Sequence, residues 1–524
     1  MTALAVIFSV YFGMKRPALI LFLSAFYCIV VAQNVEVARF EMPLSTKSQQ
    51  CSFVPLAEQG AIALAESASS VKGAKNWDFI VLDTNLVEQN SFSTQLDAAL
   101  QLHSSATSDE FAVVLFTTTK RSDSTHVSVV VYDREKGSFS SFSTALPANI
   151  TLLPAAAVSH TLLLAYNINN GGSVISFYDV KAGKELHVSA KDSNYLIQDI
   201  EAHRNSNSFV VTMKEFVERH SVATGFLVFT SEGTLTKSFS YPNGNTTTIG
   251  RSRSRMSLDG SLEVFVTVER IGGGKVSAKN FADNFGNESV GIGWINFSNS
   301  ATKSKIYLFK DIPDIDKALT PGSRLRVKQR QVQRNDTVNN RVEIAFQFLK
   351  PSLLAYNDTS IMALEAFIPV YHTETRMEFG YYGSIPTTYT VFDGYDFYSQ
   401  ILFAFNDEGL LLWHNYTNFD NPLDEALYRH TSEAICNGEV ILISSDHNTL
   451  TYSVMDMGGR KLLDNESATL PLMRQNDMLE SEYNSNIRLW YDNKFIVFGR
   501  QILKNRMMRK ADRFVFFLQK TQYE

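Results

Sequence analysis

A short pattern returns along most of this 524-residue chain at intervals of about 50 residues. In each copy an apolar run reaches an aromatic or apolar residue, passes a polar residue and then a glycine, and leads into a second strand. The glycines Gly137, Gly183, Gly233, Gly409 and Gly459 lie 46, 50, 176 and 50 residues apart. Glycine tolerates the positive φ of tight hairpin turns. Each copy therefore predicts a β-hairpin, and the interval predicts a fold assembled from similar units.

Each hairpin is preceded by a further apolar strand, such as residues 111–117 (FAVVLFT) and 161–166 (TLLLAY). Eight equivalent third strands are predicted near residues 80, 130, 176, 228, 294, 403, 453 and 516. A four-stranded unit of this length is typical of a propeller blade. The last unit ends without room for a fourth strand, and residues 35–41 (VEVARFE) supply one.

The sequence therefore predicts an all-β fold, a single β-propeller of about eight four-stranded blades that is closed by its N-terminal strand. Seven or nine blades remain possible. Two stacked smaller β domains or a pair of β-sandwiches are the alternatives, and the even interval favours one ring.

Residues 257–265 (SLDGSLEVF) resemble the S-x-D-G-x-x-x-x-F turn of exported bacterial propellers of the TolB-like and WD40-like type. In such propellers the connections between blades and those between a blade's second and third strands emerge on one face, which is commonly the binding face. The repeats lack the Gly-His and Trp-Asp pairs of WD40 units. The resemblance therefore implies no specific subfamily and no particular partner.

The N-terminus predicts export. Lys15 and Arg16 precede the apolar run 17–31, and small residues around Ala32 complete the pattern of a cleavable signal peptide over residues 1–33. Met14 is a possible true start. The apolar run has about 14 residues, whereas a membrane span needs about 20. We expect a periplasmic, cell-surface or secreted protein with no membrane span in the mature chain, 34–524; an N-terminal anchor is the alternative.

Two cysteines remain after cleavage, Cys51 and Cys436. The repeat places them in the first strands of blades one and seven, with blade eight between them. A disulfide needs Cα atoms within about 7 Å. The sequence therefore favours two free, buried thiols over a bridge.

Three segments depart from the repeat: residues 271–288, 311–340 and 371–400. The first and third fall between the second and third strands of blades five and six, and the second links these two blades. Long ordered loops on a rigid scaffold are where proteins usually carry function. This face is therefore the predicted binding surface.

The blade-six insertion is rich in aromatic residues. Tyr381, Tyr382, Tyr389, Phe392 and Tyr395 are candidate ligand-binding residues, because exposed tyrosine offers broad contact area with a polar tip to a sugar or a protein. The alternative is that these residues extend the hairpin and pack on one another.

The linker between blades five and six carries four further candidates: Arg324, Arg326, Lys328 and Arg330. Their spacing of two places all four cations on one face of a strand, where they could meet an anionic polymer or an acidic partner. A solvated outer strand whose charges discourage edge pairing is the alternative.

No H-E-x-x-H, C-x-x-C, G-x-S-x-G, phosphate-binding loop or dinucleotide motif occurs. A net charge of -6 argues against a nucleic-acid binder. We predict a non-enzymatic binding or scaffold propeller, without catalytic residues, metal or cofactor, whose partner is a protein or glycan of the cell envelope. The alternatives are a polysaccharide hydrolase or lyase with acidic residues at the central mouth, and a structural component of an envelope assembly.

Overall fold

The computed structural model describes residues 38–46, 48–71, 73–118, 124–169, 171–218, 221–244, 246–257, 259–271, 288–298, 301–323, 344–380, 383–418, 423–474, 476–505 and 512–523. Within them, the strands form eight antiparallel sheets, each built from consecutive strands except where the ring closes. The chain is therefore an eight-bladed β-propeller, as the repeat predicts.

Blades 1 to 4 follow one another along the chain. Their strands are β2 (Cys51–Pro55), β3 (Ala61–Val71), β4 (Ala74–Leu82) and β5 (Glu88–Asp97); β6 (Leu100–Thr107), β7 (Phe111–Thr118), β8 (Ser124–Asp133) and β9 (Ser138–Pro147); β10 (Ile150–Leu152), β11 (Ala156–Val158), β12 (Thr161–Ile168), β13 (Gly172–Asp179) and β14 (Lys184–Lys191); β15 (Tyr195–His203), β16 (Ser208–Glu218), β17 (Ser221–Thr230) and β18 (Leu235–Pro242).

Blades 5 to 8 complete the ring. Their strands are β19 (Thr247–Met256), β20 (Leu262–Arg270), β21 (Ser289–Phe297) and β22 (Thr302–Leu308); β23 (Gln347–Phe348), β24 (Ser352–Tyr356), β25 (Thr359–Gly380), β26 (Gly383–Asn406) and β27 (Leu411–Asn418); β28 (Thr431–Cys436), β29 (Glu439–Asp446), β30 (Thr449–Asp456) and β31 (Lys461–Thr469); β32 (Asp477–Tyr491), β33 (Lys494–Asn505), β34 (Arg513–Gln522) and β1 (Arg39–Leu44). Short 3-10 helices cover Ala57–Gln59, Arg204–Ser206, Phe309–Asp311 and Ile315–Ala318.

The position of a strand within its blade explains its composition. Second and third strands lie between neighbouring blades and are covered on both faces, so they read as continuous apolar runs; β7 is buried over its first six residues. Fourth strands face solvent, and their residues alternate between exposed and partly buried positions along much of the strand, as in β9. All eight predicted third strands are confirmed: they are β4, β8, β13, β17, β21, β26, β30 and β34.

The ring closes through β1, which pairs antiparallel with β34 as the outermost strand of blade 8. The predicted closure is confirmed, although the strand spans Arg39–Leu44 rather than 35–41. The Arg39 guanidinium donates to Glu41 at 2.9 Å, Gln519 at 2.7 Å and Gln501 at 2.6 Å. The closing strand is therefore held by side-chain bonds to β33 and β34 as well as by its ladder.

The repeated glycine has a second role besides its turn. Gly459 has a φ of 81°, and a Cβ there would lie 2.5 Å from the Trp413 ring of the preceding blade. Gly409 meets Trp294 of the preceding blade in the same way. Glycine at this position therefore satisfies both the hairpin turn and the packing of one blade on the next.

Two sequence predictions are refined by the fold. Both cysteines are free and lie where the repeat places them, although each is half-buried rather than buried. Part of the predicted linker insertion is core: Ile315 and Ala318 are fully buried between blades 5 and 6. The signal peptide, residues 35–37, 272–287 and 324–343 lie outside the described residues.

Candidate functional site

The blade-six insertion is a two-stranded ribbon formed by residues 371–380 and 383–392, which continue β25 and β26. Its ladder runs from Tyr371 opposite Phe392 to Gly380 opposite Gly383. Ten residues at about 3.3 Å each make a ribbon about 30 Å long. A hairpin of this kind has little stability by itself in water, so the blade must anchor it.

The anchor is a small apolar cluster where the ribbon leaves the blade. Leu349, Phe367 and Phe397 are buried there, with Tyr395 packed against them. The Tyr395 ring lies 5.5 Å from Phe367, and its backbone pairs with Asp424 of the connection to blade 7. Tyr395 is therefore part of the anchor.

Direct cross-strand pairing sorts the ribbon residues into two faces. The uncharged face consists of Tyr371, Thr373, Thr375, Met377, Phe379, Ser384, Pro386, Thr388, Thr390 and Phe392. The charged face consists of His372, Glu374, Arg376, Glu378, Ile385, Thr387, Tyr389 and Val391. The ribbon is thus amphipathic although it stands away from the blade.

The charged side chains of the charged face form hydrogen bonds and ion pairs with one another and with neighbouring residues. The Arg376 guanidinium donates to Glu374 at 2.6 Å, and the Tyr389 hydroxyl donates to Glu378. His372 contacts Asp393 and lies 3.4 Å from Glu374. The hydrogen bond to Asp393, with the one to Glu374, raises the pKa of His372 above its ordinary value.

The uncharged face is the more exposed of the two. Phe379 is 89% exposed, Met377 58% and Tyr371 56%. The ring of Tyr371 lies 5.4 Å from that of Phe392, tilted by 60°, and Phe392 is itself 41% exposed. Large apolar side chains clustered on a protruding surface are typical of an interaction site.

The predicted aromatic candidates fall in different environments. Tyr389 is on the charged face, Phe392 is on the uncharged face, and Tyr395 is in the anchor. Tyr381 and Tyr382, with the cations Arg324, Arg326, Lys328 and Arg330, lie outside the described residues. Sequence reasoning did not select Met377 or Phe379, although the alternation of charged and uncharged residues from 372 to 378 indicates which positions share a face.

Two backbone pairings tie connections between blades to the strands that border the blade-five and blade-six insertions. Ser289, at the end of the blade-five insertion, exchanges two backbone hydrogen bonds with Phe346 of the linker, at 2.7 and 3.0 Å. Tyr395 of β26 pairs in the same way with Asp424. Each of the two pairings therefore fixes a connection between blades against the second or third strand of blade 5 or blade 6.

A second cluster lies on the first strands of the blades, which contact one another and so surround the axis. Lys350 of blade 6 bridges Asp199 and Glu201 of blade 4, with its Nζ 3.2 Å from Glu201 Oε1. Ser254 donates its backbone N–H and hydroxyl to Glu201 at 2.8 and 2.5 Å, and an Arg253 nitrogen lies 3.8 Å from the same carboxylate. This axial cluster joins three blades.

The axial carboxylates differ in acidity. Burial, with the neighbouring Glu201, raises the pKa of Asp199 against the effect of Lys350. Burial also acts to raise the pKa of Glu201, but Lys350, Arg253 and the bonds from Ser254 outweigh it and leave that pKa below its ordinary value. One carboxyl of the pair therefore holds a proton more readily than the other.

Within the described residues, no group of three or more His, Cys, Asp or Glu side chains has the arrangement of a metal site. A search of the same residues for a helix long and apolar enough to cross a membrane finds none.

No protein-family model matches the sequence, and no curated protein matches it. Among solved structures, the β-propeller domain of the Trilobed protease from Pyrococcus furiosus is similar at a TM-score of 0.33 and 11% identity, over 81% of this chain and 95% of that one. The acylaminoacyl peptidase of Pyrococcus horikoshii gives a TM-score of 0.34 at 10% identity, over 78% of this chain and 51% of that one.

A prolyl endopeptidase gives a TM-score of 0.37 at 9% identity, over 80% of this chain and 50% of that one. The present chain thus spans about half the length of each of these two peptidases. The eight sheets define the class: this is a β-propeller protein.

Proposed function

We propose that this chain is an exported binding propeller, of the kind that includes the TolB-like and WD40-like proteins, and that a protein or glycan of the cell envelope docks on the uncharged face of the ribbon. The observation that carries the proposal is the exposure of Phe379, Met377 and Tyr371 on a face without any charge. The signal-like N-terminus supports export.

The chemistry of this face favours a neutral partner surface. Aromatic rings stack on sugar rings or on apolar protein side chains, and threonine hydroxyls donate and accept hydrogen bonds between them. Because the charged side chains lie on the opposite face, a partner docked here desolvates no ribbon charge.

The test compares two matched double variants of the full chain. Met377→Ser with Phe379→Ser changes the uncharged face, and Arg376→Gln with Glu378→Gln changes the charged face. Each variant, immobilised beside the wild type, is offered envelope extract and a panel of envelope glycans. The proposal expects capture to be lost only in the first variant. Equal capture by the wild type and the first variant, with both folded, would exclude the uncharged face as the docking surface.

A second candidate function, glycan cleavage at the axis, is favoured by the two carboxyls, Asp199 and Glu201, that Lys350 bridges there. A pair of carboxyls can supply the general acid and the general base or nucleophile of glycoside hydrolysis. Turnover of a polysaccharide that Asp199→Asn abolishes would establish it. Failure of the wild type to cleave any member of an envelope glycan panel would count against it.

A further inference from the structure

The outer edge of the ribbon strand 371–380 has no pairing partner among the described residues. The strands β23 and β24 pair with β25 only at 347–348 and 352–356, well below the ribbon. An unpaired edge presents N–H and C=O groups that can accept another strand. The opposite edge is less suited to this, because Pro386 has no N–H to offer.

The side chains on either side of Thr375 are complementary to those of a second, antiparallel copy of the same strand. When two copies of the strand lie antiparallel with Thr375 opposite Thr375, Glu374 of each copy is opposite Arg376 of the other. The same register sets His372 opposite Glu378. Each of these two pairings occurs twice in the dimer, which gives four charge pairs. Once His372 is protonated, every pair joins a positive to a negative side chain.

The uncharged residues match in the same register. Tyr371 faces Phe379 of the second copy, and Thr373 faces Met377. Directly opposed aromatic pairs and opposite charges each stabilise an antiparallel junction. We propose that two copies of this chain associate through the free edge of β25, with residues 371–379 paired antiparallel about Thr375.

The fold leaves room for this dimer. Each ribbon is about 30 Å long, and antiparallel pairing places the two propeller bodies at its opposite ends. A two-fold axis perpendicular to the sheet keeps both uncharged faces on one side, so they join into a single four-stranded surface. The dimer does not rest on the proposed docking function, because its backbone and charge pairs use the edge and the charged face of the ribbon, although Tyr371, Met377 and Phe379 of the docking face also line the junction.

The junction is short, so the dimer should be weak. Nine residues of strand edge bury less than the roughly 1,600 Å² of a standard interface. We therefore expect association that depends on concentration, detectable by sedimentation equilibrium of the full chain between about 1 and 200 μM.

Two charge variants test the register. Glu374→Arg opposes arginine with arginine at two positions, and Arg376→Glu opposes glutamate with glutamate. Each alone should weaken the dimer at least about ten-fold, since like charges directly opposite destabilise a strand pair. Mixed in equal amounts, the two variants restore opposite charges at both positions and should form a heterodimer.

The mixture separates pairing between chains from effects within one chain. The Glu374–Arg376 contact inside each ribbon is lost in both variants and stays lost in the mixture, so recovery can come only from the junction. Arg460→Glu, at an exposed turn of blade 7, is the control and should dimerise like the wild type. A wild type that stays monomeric, or a mixture that stays monomeric beside a dimeric wild type, would overturn the proposal.

Discussion

Blades 1 to 3 and blades 4 to 8 share one four-stranded unit, but they differ in what they bury. No Asp, Glu, Lys or Arg that the structure describes in blades 1 to 3 is buried. Among the described residues of blades 4 to 8, eight such side chains are buried: Glu201, Lys214, Glu263, Glu269, Glu365, Glu433, Asp477 and Lys520. On one side of the ring the buried residues are therefore uncharged, whereas on the other side they include charged residues.

The interface of blades 6 and 7 shows what a buried charge requires. Glu365 is fully buried and accepts hydrogen bonds from the His430 N–H at 3.0 Å and the Thr431 hydroxyl at 2.8 Å. Arg429 donates to Glu433 at 3.1 Å and approaches Glu365 at 3.9 Å. One guanidinium thus lies near two buried carboxyls. Burial raises the pKa of Glu365 to about 7.

The largest expected loss of stability concerns blades 1 to 3, where the buried residues are uncharged. Phe116 is fully buried between blades 1 and 2, with its ring 4.7 Å from Trp77. Phe116→Ala should lower the free energy of unfolding by about 3–5 kcal/mol, because the cavity cannot be refilled. Denaturant titrations at pH 5, 7 and 8 should give the same loss. The exposed Val87→Ala is the control, and a loss that changes with pH would break the comparison.

The next largest loss of stability is expected in blades 4 to 8, where charged residues are buried. Arg429→Met leaves the carboxyls of Glu365 and Glu433 buried without their cation, which should lower the free energy of unfolding by about 3 kcal/mol at pH 8. The folded pKa of Glu365 lies above its unfolded value, so its contribution is present at low pH and is lost as pH rises through about 7. The loss should therefore be smaller at pH 5.

Adding Glu365→Gln and Glu433→Gln to the Arg429→Met variant should recover part of the lost stability, since neutral amides need no counterion. An effect of Arg429→Met that is equal at pH 5 and pH 8 would show that lost packing, rather than charge, controls this interface.

The smallest effect concerns Lys214, which is fully buried between blades 4 and 5 and donates to Thr224 at 2.9 Å and Thr248 at 3.1 Å. Burial lowers its pKa to about 7. The folded pKa lies below the unfolded one, so the wild type should gain stability as pH rises above about 7, by at most about 1.4 kcal/mol per pH unit.

Lys214→Met removes that gain. The difference in unfolding free energy between the wild type and this variant should shift in favour of the wild type from pH 7 to pH 9, measured at fixed ionic strength. A difference that does not change with pH would show that Lys214 does not titrate in this range.

The sequence predicted the ring well because its signal is local and repeated. Apolar runs such as 111–117 and turn glycines such as Gly459 recur at equivalent positions of several blades. The interval between them therefore predicts the length of a blade and the order of the blades along the chain. The environments of the candidate binding residues were harder to predict. Tyr395 reads as one more exposed tyrosine in the sequence, yet it packs on Phe367, because the two meet only when β25 and β26 pair.

What the sequence by itself determined is therefore the propeller, its eight third strands and its closure by the N-terminal strand. Only the tertiary structure decided that residues 371–392 stand out as a ribbon with a charged and an uncharged face, and that Lys350 reaches Asp199 two blades away. The physical reason is distance along the chain. Turns and alternation are set by neighbours in sequence, whereas a face or an ion pair depends on which strands the ring brings together.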